Sequence, residues 1–166
     1  MDIDTPIFKS GTEILLDLVK TVYADKFNAY YEGDPGDIPI ACYPCVIVEK
    51  TQGEIRAQNT AQDLNIEVIA VRFVMNKMDD LGVEDDVDLT ERKLRQLIEG
   101  RDITTGRYAK GTFIYELRKR LTLNGLSIDQ TQSISYGVID RSTLFSSEAR
   151  VDVTLSNLVY REPDVN

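Results

Sequence analysis

Residues 62–77 read QDLNIEVIAVRFVMNK, a run without glycine or proline that is rich in β-branched residues. This composition predicts a β-strand. If residues 62–75 are extended, the strand measures roughly 46 Å at ~3.3 Å per residue. A compact domain of this size has a radius of gyration of about 15 Å. The strand is therefore predicted to run across the whole domain, although two shorter strands joined by a bend would fit the same residues.

The faces of this strand change character along its length. Asn65 and Glu67 begin one face, and the same face then becomes apolar through Val71 and Phe73. Because the second half of the strand is apolar on both faces, helices of the same chain or a neighbouring subunit must cover it. Val71 and Phe73 are therefore predicted to be buried, either in the subunit core or at a subunit interface.

The elements around the long strand follow from capping and periodicity. Ser10 and Glu13 have the spacing of a capping box, and an apolar stripe of helical period follows over residues 14–23. The other predicted elements are strands over residues 45–50, 131–139 and 149–160, helices over 87–99 and 112–123, a hairpin or projecting loop over 51–62, an acidic linker over 78–86, and a C-terminal tail over 161–166.

The strands come in consecutive groups rather than in alternation with helices, which indicates an α+β fold. We expect one domain over residues 1–166. Its predicted core is a mainly antiparallel sheet of about four to five strands with a long central strand, flanked by two to three helices. A chain of 166 residues is long enough to bury such a core.

Composition narrows the possible functions. The chain has 28 acidic and 19 basic residues, a net charge of −9, and no histidine. The acidity disfavours a free-standing DNA-binding domain, although an acidic wall can let DNA slide past without gripping it. Histidine is the commonest general base and metal ligand, so its absence disfavours many kinds of catalysis. Neither a membrane-spanning segment nor a signal peptide is predicted, and we expect synthesis in the cytosol.

Two candidate redox or metal motifs fail on their spacing. Cys42 and Cys45 form a CxxC motif, but it leads into a strand rather than a helix, and no third cysteine completes a zinc site. Cys45 is instead predicted to be a small core residue. The acidic residues 79–88 lack the ligand positions and the glycine of a calcium-binding EF-hand loop. We therefore expect no metal, no cofactor and no enzymatic activity.

A basic loop over residues 100–111 is the first candidate for an interface. It carries Arg101, Arg107 and Lys110 in a chain that is otherwise acidic. The loop lacks the Gly-Lys-Ser/Thr pattern of a phosphate-binding loop. These cations are therefore predicted to meet carboxylates of a neighbouring subunit rather than DNA phosphates.

Leu144 and Phe145 are the second candidate. They lie among serine and threonine residues in the segment 141–148, which is predicted to be a loop. Two adjacent large apolar residues in a loop suggest an anchor for a partner, because interfaces concentrate their energy in a few such residues. The alternative is that the loop folds back and one side chain fills the edge of the core.

Five stretches of sequence, taken in this order, form a wider pattern. They are TEILLDLVKTVY (12–23), YPCVIVEK (43–50), LNIEVIAVRFVMNK (64–77), DLTERKLRQLIEG (88–100) and SEARVDVTLSNLVYRE (147–162). Together with the acidic linker, they resemble the tail terminator, or tail completion, proteins of long-tailed bacteriophages.

The resemblance implies a structural virion protein that forms a hexameric ring on the last ring of the tail tube. Such a ring ends tube polymerisation and presents a surface to the head connector or neck protein, while DNA passes through its lumen without specific binding. The implied location is the virion neck, after assembly in the host cytoplasm. The alternatives are another head–tail joining or neck completion protein and, from a different class, a small acidic enzyme or a binding module.

Overall fold

The computed structural model describes residues 9–76, 87–141 and 144–162. Two 3₁₀ turns, at Ala24–Lys26 and Ile40–Cys42, accompany the main elements. In chain order, the helices and strands are α1 (Gly11–Tyr23), β1 (Ala29–Glu32), β2 (Cys45–Ala57), β3 (Gln62–Asn76), α2 (Val87–Glu99), α3 (Phe113–Arg118), β4 (Thr122–Leu123), β5 (Leu126–Ile128), β6 (Ser133–Arg141) and β7 (Leu144–Tyr160).

The sheet corrects the predicted fold class. Within the described residues it is a curled, mixed sheet of seven strands, not a mainly antiparallel sheet of four to five. Its order is β1-β2-β3-β7-β5-β4, and β6 pairs with β7 beside this path. It is mixed because β1 runs parallel to β2. The additional strands β1, β4 and β5 have only two to four residues, too few to produce a recognisable alternation.

The long strand is confirmed as one continuous element. β3 has 15 residues and lies between β2 and β7. Its ladder with β7 runs without interruption from Gln62 opposite Tyr160 to Asn76 opposite Ser146. The alternative of two strands joined by a bend is therefore wrong.

The three predicted helices agree with the structure to different extents. In α1 the capping box is present, with the Ser10 hydroxyl accepting from the Glu13 N–H at 3.4 Å and the Glu13 carboxylate accepting from the Ser10 N–H at 2.8 Å. α2 spans the predicted residues and ends before Gly100. α3 ends at Arg118, and the residues predicted to continue it form the β4–β5 hairpin instead. The reason is the turn at Asn124 and Gly125, which both have positive φ, as a two-residue hairpin requires.

The main core lies between the helices and one face of the sheet. Val71 and Phe73 are both 0% exposed within the single chain. The ring of Phe73 packs against three other aromatic rings, with centroids 5.5 Å from Tyr23, 5.8 Å from Phe27 and 5.6 Å from Phe113. Their predicted burial is confirmed. Their assignment to a subunit interface is wrong, because the chain's own helices cover them.

The opposite face of the sheet is covered at one end by a smaller apolar cluster. It is formed by Ile38, Tyr43, Cys45, Ile47 and Val74. Cys45 is fully buried there, as predicted for a small core residue, and both cysteines are free thiols.

Several predicted boundaries also change, among them that of the strand predicted over residues 131–139, which is Ser133–Arg141. β2 continues to Ala57, so the polar segment after residue 50 is mostly strand and closes as a hairpin onto β3. β7 begins at Leu144 rather than residue 149, because β6 and β7 pair as far as Arg141 opposite Leu144. In the predicted C-terminal tail, the backbone of Arg161 is tied to Ala61 by a hydrogen bond of 2.9 Å, and residues 163–166 lie outside the described part.

Candidate functional site

Three strands continue past the part of the sheet that the helices cover. α1 begins level with Glu67, whose carboxylate accepts a hydrogen bond from the N–H of Gly11 at 3.3 Å. Beyond this level β2, β3 and β7 remain paired, from Glu54 and Ser156 opposite Ile66 outwards. We call residues 54–66 and 156–160 the arm. Its strands extend for about 15 Å at ~3.3 Å per residue.

The tip of the arm is an ordered turn. The N–H of Gln58 donates to the carbonyl of Gln62 at 3.0 Å, and the Asn59 side chain accepts from the N–H of Ala61 at 2.8 Å. The guanidinium of Arg161 binds both carboxylate oxygens of Asp63, with Nε 3.0 Å from each. This cation lowers the pKa of Asp63. The end of β7 is thereby fixed to the hairpin between β2 and β3.

Apolar side chains are exposed on the arm to an unusual degree. Ile55 and Tyr160 are each 75% exposed, Leu158 is 52% exposed and Val159 is 45% exposed. In the described part of the chain, these are four of the eight large apolar side chains that are exposed. Single exposed apolar residues are ordinary, whereas a cluster marks an interaction surface.

The two faces of the arm differ. Residues directly opposite one another in a ladder point to the same face. Leu158 lies opposite Leu64, so the two share the face away from the helices. Ile55 and Asn157 both lie opposite Asn65, and Val159 lies opposite Asp63, so these residues share the other face. Asn65 and Asn157 join across that face through a side-chain hydrogen bond of 3.3 Å.

Both lateral edges of the arm are open among the residues that the structure describes. β1 pairs with β2 only as far as Val48, which leaves residues 49–57 without a partner on the outer side. On the other side, β5 pairs with β7 only at residues 155–156, which leaves residues 157–160 unpaired there. An open strand edge is a template for another strand, and natural proteins often protect such edges with charged residues. Residues 157–160 read NLVY and contain no charge.

The basic loop is also exposed. Arg101, Arg107 and Lys110 all point to solvent. The backbones of Arg101 and Tyr108 form an isolated antiparallel β-bridge. The guanidinium of Arg101 lies 5.5 Å from the centre of the Tyr108 ring. The Asp102 carboxylate accepts from the backbone N–H groups of Thr105 and Thr104, and these hydrogen bonds lower its pKa. The structure thus brings the three cations to one loop, and their pairing with another subunit stays a prediction.

Leu144 and Phe145 lie in a strand, so the predicted loop over residues 141–148 is wrong. Their backbones belong to β7 and pair with Arg141 and Asp140 of β6. Serine and threonine do not prevent strand formation once a paired neighbour is present. The side chains of Leu144 and Phe145 lie outside the described part, so their role as an anchor stays a prediction.

A groove of about 480 Å³ runs between α1 and the segment from α3 to β5. Its charges are largely balanced within the chain, because Glu116 binds Lys119 at 2.6 Å and Arg120 at 2.8 Å. No group of three or more cysteine, aspartate or glutamate side chains in the described residues is placed to hold a metal ion. None of the helices in the described segments has the length and apolar character needed to cross a bilayer.

The arm residues were not predicted as a site, although one signal was present. The alternation of β7 breaks at Leu158, Val159 and Tyr160, three apolar residues in succession. In a strand, such a run places apolar side chains on both faces. At the end of a sheet, where no helix follows, at least one of these faces remains exposed.

The chain was also compared with known proteins. No protein-family model matches it, and no curated protein matches its sequence. What the chain does is therefore inferred from its own residues and geometry.

Proposed function

We propose that this protein is a structural virion component that forms a ring on the end of the tail tube of a long-tailed bacteriophage. In this role it stops polymerisation of the tube and offers a surface to the head connector or neck protein. It is assembled in the host cytoplasm and becomes part of the virion neck. No catalytic step belongs to the proposal. The resemblance described above suggests the role, and the arm is the observation that carries it.

The arm is evidence for assembly, because its open strand edges and exposed apolar side chains are unfavourable in an isolated subunit. Within the described segments its edges are open at residues 49–57 and 157–160, and apolar side chains are exposed on both of its faces. An isolated protein with such edges is prone to aggregate. A closed ring of head-to-tail contacts removes this liability, because every copy uses one edge on each neighbour and no edge remains free.

The charge of the chain agrees with a ring through which DNA passes. With a net charge of −9, the protein as a whole repels phosphate. A lumen of this character lets the duplex move instead of holding it. The basic loop is the exception, and contact with the acidic surface of a neighbour would remove its cations from the DNA path.

The proposal is tested by adding the purified chain to tail tube protein as it polymerises. We expect tubes that stop growing, with a ring at one end in electron micrographs. Native mass spectrometry of the free chain tests whether rings form without the tube. A chain that remains monomeric at every concentration and leaves tube length unchanged contradicts the proposal. Binding to an isolated head connector without any effect on tubes would indicate a head–tail joining protein instead.

A further inference from the structure

We propose that neighbouring copies of this chain join through their arms, with the open β7 edge of one copy pairing with the open β2 edge of the next. This inference rests on the proposed ring and names the contact that closes it. Residues 157–160 supply one edge, and residues within 49–57 supply the other. The two edges lie on opposite sides of the same three strands, so the contact is heterologous and can repeat around a ring.

The direction of the new ladder follows from the topology. β3 runs antiparallel to both β2 and β7. β2 and β7 therefore both run from the body of the domain towards the tip of the arm. In a ring whose arms run along its axis, the rotation that relates neighbouring copies leaves their arms pointing the same way. The β7 edge of one copy consequently meets the β2 edge of the next as a parallel pair, which is a regular arrangement in mixed sheets.

Exposed apolar side chains on the two edges favour a second copy as the partner. Ile55 on β2 and Val159 on β7 lie on the same face of the arm, at opposite edges. Within one copy β3 separates them, with polar Asn65 and Asp63 between. Edge-to-edge pairing places Ile55 of one copy and Val159 of the next on adjacent strands of one face. Each then covers the other, as a cross-strand apolar pair does.

The charges on the β2 edge do not oppose this pairing. Glu54 and Arg56 form an ion pair of 2.8 Å, and Lys50 binds the carboxylate of Glu67 at 3.0 Å. Glu49 binds Arg72, so the charged side chains of this edge are matched within their own copy. The β7 edge at residues 157–160 has no charge that would meet them.

Cross-linking between introduced cysteines tests the contact. The double variant Ile55→Cys with Val159→Cys is made in a Cys42→Ser background, because Cys42 is partly exposed whereas Cys45 is buried. Under conditions in which rings form, or on tube ends, a short bis-maleimide should link the double variant into a ladder of oligomers. The two single variants serve as controls. In a head-to-tail contact, each has its cysteine on only one side and should stay unlinked.

The outcomes separate this inference from the proposed function. Rings without a ladder from the double variant overturn the arm contact and leave the ring in place. Dimers from Ile55→Cys alone show a two-fold contact and also overturn it. A chain that neither forms rings nor caps tubes overturns both proposals. A ladder from the double variant without any effect on tubes supports the arm contact and contradicts the tube-capping role.

A charge in the contact gives a second, independent measurement. Ile55→Lys and Val159→Lys should each lower the affinity between copies by about tenfold or more. The reason is that each change replaces a buried apolar contact by an unpaired charge. Both sites are exposed in the single chain, so the melting temperature of the monomer should not change. Leu121→Lys is the matched control, since Leu121 is 74% exposed but lies off the arm. An equal loss of assembly in the control variant would overturn the inference.

Discussion

The backbone N–H of Phe113 donates a hydrogen bond of 3.1 Å to the hydroxyl of Tyr23. The same hydroxyl donates to the carbonyl of Leu97 at 2.7 Å. One side chain from α1 therefore joins the start of α3 to the last turn of α2. Burial raises the pKa of this hydroxyl well above its usual value, so it remains protonated and able to donate.

Removal of this hydroxyl should destabilise the monomer. Tyr23→Phe leaves the N–H of Phe113 and the carbonyl of Leu97 without their partner in a buried setting. We expect the free energy of unfolding in urea to fall by about 1–3 kcal/mol. Tyr160→Phe is the control, because Tyr160 is 75% exposed and should change little. Equal effects of the two changes would show that the hydroxyl of Tyr23 does not join the helices.

The same residue predicts an alkaline pH dependence. The pKa of Tyr23 is raised in the folded state, whereas an unfolded tyrosine ionises near pH ~10. The stability linked to this group is therefore complete below pH ~10 and is lost as the pH rises from there towards the folded pKa. The wild type should lose stability above pH ~10 more steeply than Tyr23→Phe. Parallel pH profiles for the two proteins would contradict this prediction.

Phe73 should be the most sensitive position of the long strand. Its ring lies at the centre of the aromatic cluster formed with Tyr23, Phe27 and Phe113. Phe73→Ala leaves a cavity in a close-packed core and should cost about 3–5 kcal/mol of monomer stability. Ile55→Ala on the exposed arm should cost far less. Wild-type stability of the Phe73→Ala chain would show that this ring does not pack in the core.

The parts of this fold that sequence reasoning found have strong local signals. β3 is a long unbroken run of β-formers, and the start of α1 is indicated by the capping-box residues Ser10 and Glu13. β1, β4 and β5 have no such signal, because strands of two to four residues are held by their partners rather than by their own pattern. Because these three strands were not predicted, the predicted sheet had too few strands. The helix predicted over residues 112–123 also included Thr122 and Leu123, which form β4.

The arm could not be predicted from any single segment of the sequence. Its exposure depends on where α1 begins, and that is fixed by the contact between Gly11 and Glu67, 56 residues apart in sequence. Its tip depends on Arg161 and Asp63, which are 98 residues apart. The first pair arises from the packing of α1 on β3 and the second from the register of β3 against β7, and no local pattern specifies either.

Gly11 should be intolerant of a side chain. A Cβ at this position would lie 2.7 Å from both the Glu67 carboxylate and the Ile69 side chain. Gly11→Ala must displace these groups and with them the start of α1. We expect a loss of about 1–3 kcal/mol, measured by urea unfolding. Gly137→Ala is the matched control, because no atom of the described residues, apart from Gly137 and its two chain neighbours, lies within 4 Å of a Cβ placed there. A neutral Gly11→Ala would show that α1 is not closely packed on β3.

The basic loop should contribute to assembly and not to DNA binding. Replacing Arg101, Arg107 and Lys110 by alanine removes three exposed cations. We expect weaker ring formation in the triple variant and a smaller loss of assembly on going from 0.1 M to about 1 M salt, since the Debye length falls from ~10 Å to ~3 Å. Native mass spectrometry and light scattering measure both effects. Tight, salt-sensitive binding of the wild type to duplex DNA, lost in the variant, would assign the loop to DNA instead.

Arg161 should control the ionisation of Asp63 at the tip of the arm. Its guanidinium lowers the pKa of that carboxyl, so the pair is complete above the unfolded value of about 3.9 and is lost as the pH falls through the lower, folded pKa. In Arg161→Ala, Asp63 should titrate closer to its ordinary value, and amide exchange at residues 58–63 should accelerate. Carboxyl NMR titration measures the first effect. Arg56→Ala is the control, because Arg56 binds Glu54 rather than Asp63. An Asp63 titration unchanged by Arg161→Ala would show that the arm tip is held by its backbone hydrogen bonds alone.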